Sequence, residues 1–507
     1  MIRPVAGSWS LLTGLVLSGA LLSSTVSAPV HAQAGGAPVL QAGSVLSLTD
    51  ALTLARRNNP TLQSAMNARR TAAANVRAAN GQFLPNVNTT FGGGYREGRQ
   101  TFFQGQGFGS TNDQLSTDAS ASANLTLSLQ TINDRRATKA NQEATEADIV
   151  VAEQRVRTDV TTQYLAALQQ QARATLQDSL VAATTAQLQL AKARLQVGSG
   201  TQLDVQRAEV ADGQQRVAVL NAHNQAAIEI IRLFQQIGMP AVMDVKLDPT
   251  LPDAPPLELA QILDMAGRAN PQLAALRTRE EAARRSTAAA RSAYFPSLSL
   301  QAGLSGFTNR FTSTSALISQ NQATFATQRA SCIRSEEVRA KIGLANNLTA
   351  CEALSFGPAQ ETAIRDAQGR YPLDFTRNPY NLSMSLSLPV FNGFRREQQI
   401  ELASVQRRNA QNDVRAQELR VTADVSAAYL NLGAARQTVT LQEQNVRTAR
   451  TALSLAQERY RVGAISLVDL IQARADFERA ETDRITALYD VQRAFTALEN
   501  AVGRPLR

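Results

Sequence analysis

The chain has 507 residues and a net charge of +9, with 18% charged and only 5% aromatic residues. Its Arg residues are scattered among Glu and Asp without a basic block, which reads as solvated helix faces and excludes a nucleic-acid partner. His31 and His223 are the only histidines, too few for His-based metal centres or for Ser-His-Asp and Cys-His catalysis, so neither an enzyme nor a cofactor is expected.

In chain order, Arg3 opens a short charged region and Leu11 to Leu22 is apolar but too short to anchor stably across a bilayer. Val30-His31-Ala32 fits a small-residue cleavage site, so 1–32 is read as a signal peptide with Gln33 as the first mature residue. No Cys follows, which argues against an N-terminal lipid anchor. A helix is expected from Leu48 to Gln82, then a strand from Asn86 to Tyr95. A Gly- and Gln-rich loop (Gly92 to Asn112) leads to a second strand with Ala119, Ala121, Ala123, Leu125, Leu127 and Leu129 on one face. Within that loop Gly105-Gln106-Gly107-Phe108-Gly109 lacks the flanking strand and helix of a nucleotide site and reads as a flexible external loop. From about Asp134 to Gln196 the pattern is helical, roughly 95 Å at about 1.5 Å per residue. It stops at Val197-Gly198-Ser199-Gly200, where Gly suits a C-terminal cap, and a returning helix starts near Thr201.

The chain then repeats itself. Asn59-Pro60 … Phe83-Leu84-Pro85 returns as Asn270-Pro271 … Tyr294-Phe295-Pro296, displaced by 211 positions. Asp159 … Tyr164 … Val197-Gly198 … Asp204 … Ile237-Gly238-Met239-Pro240 returns as Asp424 … Tyr429 … Val462-Gly463 … Asp469 … Val502-Gly503-Arg504-Pro505, displaced by 265. Such self-similarity reports an architecture. The first repeat is placed at 33–247, a Pro-rich linker at 248–256 and the second repeat at 257–507. The second pair of strands is Ser297 to Phe307 and Leu382 to Leu388, separated by an insertion at about 309–378 that holds Cys332 and Cys351. As the only cysteines of an exported chain, these two are expected to form a disulfide in an extracellular loop.

Segments of about ten residues with period-two alternation suit membrane-spanning β-strands. Four strands cannot close a barrel alone, so several chains are expected to contribute. Val425, Leu432, Val439, Val446, Leu453 and Tyr460 follow a strict heptad, matched by Val160, Ala167, Ala174, Val181, Leu188 and Leu195. A sustained heptad implies left-handed supercoiling against neighbours. An exported structural coiled-coil or adhesin-like protein is the alternative reading; it gives the two strand pairs and the linker no task.

The signal peptide, the doubled strand–strand–long-helix plan, Leu388-Pro389-Val390-Phe391-Asn392-Gly393 and the two Val-Gly tips resemble the TolC family of outer-membrane efflux channels. The resemblance implies a mainly α fold with β. It implies a homotrimer in outer-membrane lipid, whose twelve-stranded β-barrel continues into a twelve-helix periplasmic α-barrel. It also implies a passive conduit for type I secretion or drug efflux, docked to a periplasmic adaptor and an inner-membrane pump of ABC or RND type. Adaptor contact is expected at the tips, through Val197, Gly198, Ser199, Val462, Gly463 and Ala464. A periplasmic gate is expected at Asp204, Tyr460 and Asp469: Asp469 matches an acidic-ring position, and Asp204 and Tyr460 match partners in a closing hydrogen bond. The alternative for both carboxylates is an Asp at a helix N-terminus favoured by the dipole. Ile465 stands where the family has its basic gate partner and Gln472 where it has a second acidic ring, which implies a gate with fewer polar links.

Overall fold

The computed structural model describes residues 43–98, 101–103, 106–108, 112–242, 245–250 and 258–506; the expected signal peptide, Gln33 and most of the linker lie outside them. The chain runs β1 (Val45–Leu46), α1 (Leu48–Asn58), α2 (Pro60–Gly81), β2 (Asn86–Arg96), β3 (Thr101–Phe103), β4 (Gln106–Phe108), β5 (Gln114–Ser128), α3 (Leu129–Gln196) and α4 (Gln202–Ile237). It continues β6 (Lys246–Leu247), α5 (Leu259–Ala269), α6 (Pro271–Arg291), β7 (Ser297–Phe311), α7 (Thr314–Lys341), α8 (Leu348–Glu352), α9 (Pro358–Gly369), β8 (Thr376–Arg377), β9 (Asn381–Ser387), α10 (Arg395–Arg461) and α11 (Leu467–Val502).

Four expectations change. The helix expected over Leu48 to Gln82 is two helices, because Pro60 has no N–H to donate and forces Asn59 out of helical geometry. The first long helix begins at Leu129 rather than near Asp134, because Ser128 caps it directly, accepting from the Thr131 N–H. Gln106–Phe108 is a strand paired with Thr101–Phe103 rather than plain loop. The insertion is largely helical: α7, α8 and α9 occupy it, and Cys332 of α7 is bonded to Cys351 of α8 with Cα atoms 5.6 Å apart.

The strands β2, β5, β7 and β9 form one antiparallel sheet in that order. Its register places Val87, Ala123, Ala302 and Leu382 in one row across all four strands, and Leu125, Leu300 and Met384 in another. The intervening row is Asn86, Asn124, Gln301 and Ser383. Successive side chains point to opposite faces, so one face is apolar and the other polar. The outer edges of β2 and β9 have no partner strand among the described residues. Among those residues no helix is long and apolar enough to cross a membrane.

The helices form four columns. On the sheet side the neighbours run α2–α3–α6–α10, and on the far side α4–α3–α11–α10. The continuous columns are α3 and α10, of 68 and 67 residues, each about 100 Å long at about 1.5 Å per residue. The other two columns are composite: α2 stacks on the end of α4, and α6 on the end of α11. Asn59 and Asn270 make these joins. Each caps its own helix, accepting from Leu62 or Leu273 N–H, and donates its Nδ2 to a carbonyl of the helix below, Gln236 at 2.7 Å or Ala501 at 2.9 Å. Around this level α1 covers α3 and α4, and α5 covers α10 and α11. The two apolar cores sit there, one around Val160, Tyr164 and Phe234, the other around Val425, Leu432 and Phe495. Burial drives the Tyr164 phenol pKa up to about 12, and its hydroxyl donates to the Leu46 and Asp248 carbonyls, tying β1 and the start of the linker to α3.

Candidate functional site at the helical tips

At the end remote from the sheet each long helix reverses. After Gln196 the chain turns through Gly198 at φ 74°, and the Ser199 and Gly200 N–H groups return to the Arg194 carbonyl at 2.9 and 3.1 Å. After Arg461 it turns through Gly463 at φ 82°, and the Ala464 N–H returns to the Arg459 carbonyl at 2.8 Å. This left-handed region costs a side chain about 1–2 kcal/mol, which explains Gly at both turns. Val197, Gly198, Ser199, Val462, Gly463 and Ala464 are all exposed. Val197 and Val462 keep 77% and 73% of their surface open, so each turn ends in an uncovered apolar side chain flanked by backbone.

The returning helices begin with matching capping boxes. Asp204 accepts from the Thr201 N–H at 3.2 Å and its hydroxyl at 2.7 Å, and the Asp204 N–H donates to the same hydroxyl oxygen. Asp469 does the same with Ser466, at 3.1 and 2.7 Å. Both carboxylates therefore sit at positive helix ends with two donors each. Gln472 extends one turn further along α11 and donates to Asp476 at 3.1 Å.

The expected bond between Asp204 and Tyr460 is not made. Asp204 uses its carboxylate in its own cap, and Tyr460 is buried in an apolar cluster with Ala191, Val205, Ala208, Leu467 and Leu470, against which Ile465 packs. What reaches Tyr460 is Arg194. Its guanidinium lies 4.5 Å from the centre of the Tyr460 ring and donates to the Arg461 carbonyl at 2.9 Å. A cation at this point also faces the negative end of α10. Arg194 thus joins the two tips of one chain. Sequence reasoning passed over Arg194, although the 265-residue displacement maps it onto Arg459, another Arg four positions before a tip Gly.

Farther from the tips lies a polar layer built once per chain. Asp212 accepts from Thr185 Oγ1 at 2.9 Å and from Arg216 Nε at 2.7 Å. The Arg216 bond above all holds the Asp212 pKa below its ordinary range. Arg474 of α11 donates to the Leu180 carbonyl at 2.8 Å, and burial lowers its pKa. His223 is exposed beside Asp178, its Nε2 3.0 Å from both carboxylate oxygens, and no group of three or more metal-ligating side chains occurs among the described residues.

The comparisons with known proteins agree on this architecture. The outer membrane efflux protein BepC of Brucella suis biovar 1 (strain 1330) is 24% identical over 489 residues, covering 92% of this chain and 89% of BepC. Among solved structures, the Campylobacter jejuni CmeC outer membrane channel superposes with a TM-score of 0.65 at 15% identity, covering 90% of this chain and 85% of CmeC. The outer membrane protein VceC of Vibrio cholerae gives 0.65 at 16% identity, covering 91% and 97%. The family model for outer membrane efflux proteins matches residues 51–239 and 366–504, which include both tips, both capping boxes and all four long columns in whole or part. The chain belongs to the outer membrane efflux protein family, is TolC-like, and resides in the outer membrane with its helices extending into the periplasm.

Proposed function

We infer that three copies of this chain form the exit duct of a tripartite export system, for type I protein secretion, drug efflux or both. The observation that carries this reading is the sheet β2-β5-β7-β9, with one apolar face and two open edges. In lipid an unpaired edge costs several kcal/mol for each unsatisfied group, so only a closed barrel spans the membrane. Three four-stranded sheets make twelve strands, and three sets of four columns make the tunnel beneath. The β9 strand descends toward the helices and β2 rises from them, so β9 of one copy meets β2 of the next antiparallel. The duct is passive, has no catalytic role and binds no cofactor.

The tips are the docking surface for a periplasmic adaptor, through Val197, Gly198, Ser199, Val462, Gly463 and Ala464, with an ABC or RND pump behind it in the inner membrane. Asp204, Tyr460 and Asp469 form the mouth. Three Asp469 carboxylates around one axis attract cations and repel anions. The insertion with its disulfide stands at the strand ends opposite the helices and therefore outside the cell. A coiled-coil stalk accounts for the helices alone and leaves the sheet without a purpose.

The test is purification from outer membranes in detergent, followed by mass measurement and bilayer recording. The expected result is a particle of three chains giving cation-selective conductance. A monomer with full strand content, or trimers that never conduct, would defeat the reading.

A further inference from the structure

The chain returning from the insertion lies on one face of the sheet. Ala123 and Leu125 of β5 share the apolar face with Leu298, Leu300, Ala302 and Leu304 of β7. Away from the helices, alternation continues this face to Thr117 and Leu115 on β5 and to Gly306, Thr308 and Arg310 on β7. Residues 371–375 cross that same face. The Thr117 hydroxyl donates to the Pro372 carbonyl at 2.7 Å, and a Cβ on Gly306 would meet the Phe375 Cβ at 3.1 Å. Gly306 and Thr308 are accordingly buried, whereas Leu304 below them is exposed. Gln368 of α9 accepts from the Phe311 N–H at 2.6 Å and fixes that helix to the edge of β7.

The strand β7 gives the height of this contact. Thr308 lies 10 positions beyond Leu298. At about 3.3 Å per residue and a tilt of about 40°, that is about 33 Å along the strand and about 25 Å of height. An outward apolar band of about 25 Å is what a membrane barrel presents to lipid. Residues 371–375 therefore meet the sheet at the outer rim of the band, where Leu373 keeps 77% of its surface open. The charges at this rim are basic. Arg310, paired in register with Leu115, is exposed and has no hydrogen-bond or ion-pair partner among the described residues. Arg377, in register with Gly306, stands on the same face. The two nearby carboxylates are engaged. Asp113 accepts from the Tyr95 hydroxyl at 2.7 Å and the Gly98 N–H at 2.9 Å, and Asp374 pairs with Arg370 at 3.7 Å.

We propose that residues 371–375, with Arg310 and Arg377, form a shelf that rests on the outer leaflet and binds its phosphate-bearing lipids, holding the root of the insertion beside the duct mouth rather than over it. The proposal rests on the membrane-spanning barrel. The shelf continues the lipid face of the sheet without a break, so lipid is the occupant that already reaches its lower edge. Leu373 enters the acyl boundary. The guanidinium of Arg310 matches a phosphate with two parallel donors, while its stem lies along apolar surface.

The test is tryptophan quenching by brominated lipids in vesicles of phosphatidylcholine and phosphatidylglycerol. The only tryptophan, Trp9, lies in the segment read as a signal peptide, so an introduced tryptophan reports alone. Leu373→Trp should lose fluorescence by roughly twofold to bromines near the head group, as an aromatic at the membrane rim does, and less to bromines deep in the chains. Leu300→Trp, in mid-band, should show the reverse order, and Ser120→Trp, on the opposite face, should be quenched by neither. As a minor fraction of the bilayer, brominated phosphatidylglycerol should quench Leu373→Trp more than brominated phosphatidylcholine does. Adding Arg310→Gln and Arg377→Gln should abolish that preference. If Leu300→Trp is quenched and Leu373→Trp is not, the shelf is overturned and the barrel stands; blue-shifted emission in that case would assign the cover to protein. Equal quenching of Leu373→Trp by the two lipids overturns phosphate recognition. No quenching of Leu300→Trp, or quenching of Ser120→Trp, overturns the barrel reading itself.

Discussion

The level at which helices stack and the level at which strands become helices handle the repeat in opposite ways. At the stacking level the two copies match almost atom for atom. Asn59 and Asn270 cap and donate alike, and Gly238 and Gly503 end the helices below at φ 85° and 87°. The blocks displaced by 211 and by 265 meet in space here, so sequence identity is kept where two separately repeated segments abut. At the strand-to-helix level the copies diverge. The interior strand β5 passes straight into α3 at Ser128–Leu129. The edge strand β9 reaches α10 only after Leu388 to Phe394, with Gly393 and Phe394 at φ 68° and 61°. Buried Arg396 holds that detour, donating to the Pro389 carbonyl at 2.7 Å and the Val390 carbonyl at 3.3 Å, over the Tyr294 ring at 4.1 Å. Identity follows tight mutual packing, and divergence follows an open edge.

The stacking level is sensitive in both copies alike. A Cβ on Gly503 would overlap Pro271 Cδ, and one on Gly238 would overlap the Asn58 carbonyl, in both cases at a left-handed φ. Gly503→Ala and Gly238→Ala should each cost roughly 2–4 kcal/mol, from backbone strain and overpacking together. Thermal unfolding of the detergent-solubilised protein measures this. If either variant melts with the wild type, that junction is looser than the distances say.

The strand-to-helix level should split. Arg396→Ala removes two charge-assisted bonds and leaves two carbonyls in need of water, a loss of about 2–4 kcal/mol. Arg396→Lys should recover little, because one ammonium does not reproduce the planar fork over Tyr294. Ser128→Ala at the other junction removes one cap, about 1 kcal/mol. Melting the three variants side by side sharpens the contrast. Equal losses for Arg396→Ala and Ser128→Ala would erase it.

Much of this was legible in the chain. Period-two alternation located all four long strands, because one face of each is apolar and the other polar. Their ends were not legible: β5 begins at Gln114 and β7 reaches Phe311, through residues without alternation. The heptads gave α3 and α10. The start of α3 was missed because the capping Ser128 closes an alternating run that disguises it as strand. The helices of the insertion escaped because they bury few apolar side chains and carry no stripe. At the tips, Gly198, Gly463 and both Asp positions were readable from turn and cap chemistry. The partner of Tyr460 was not, since family resemblance pointed to Asp204 while the Thr201 cap takes that carboxylate. Arg194 acts across 267 positions, a reach that local pattern does not report.

The polar layer at Asp212 gives the smallest effect and a direct check on which features belong to one repeat only. Its counterpart at +265 is Phe477, under Arg450 at 5.6 Å, so an aromatic ring stands in the second hairpin where the first has a carboxylate. Asp212 is held below the usual carboxylate pKa of 3.8 by Arg216. A depressed folded-state value means the stabilisation is fully present above the unfolded value and is lost as the pH falls through the depressed one. Arg216 is largely exposed, so solvent screening keeps the pair to about 0.5 kcal/mol. Asp212→Asn retains a side chain that accepts from Thr185 and removes the charge. It should therefore melt slightly below the wild type at neutral pH, and the gap should close in acid once the wild-type carboxyl is protonated. Phe477→Leu, at the matched place, should shift the melting point by an amount independent of pH. A gap for Asp212→Asn that persists or widens in acid would show that packing rather than charge sets its contribution.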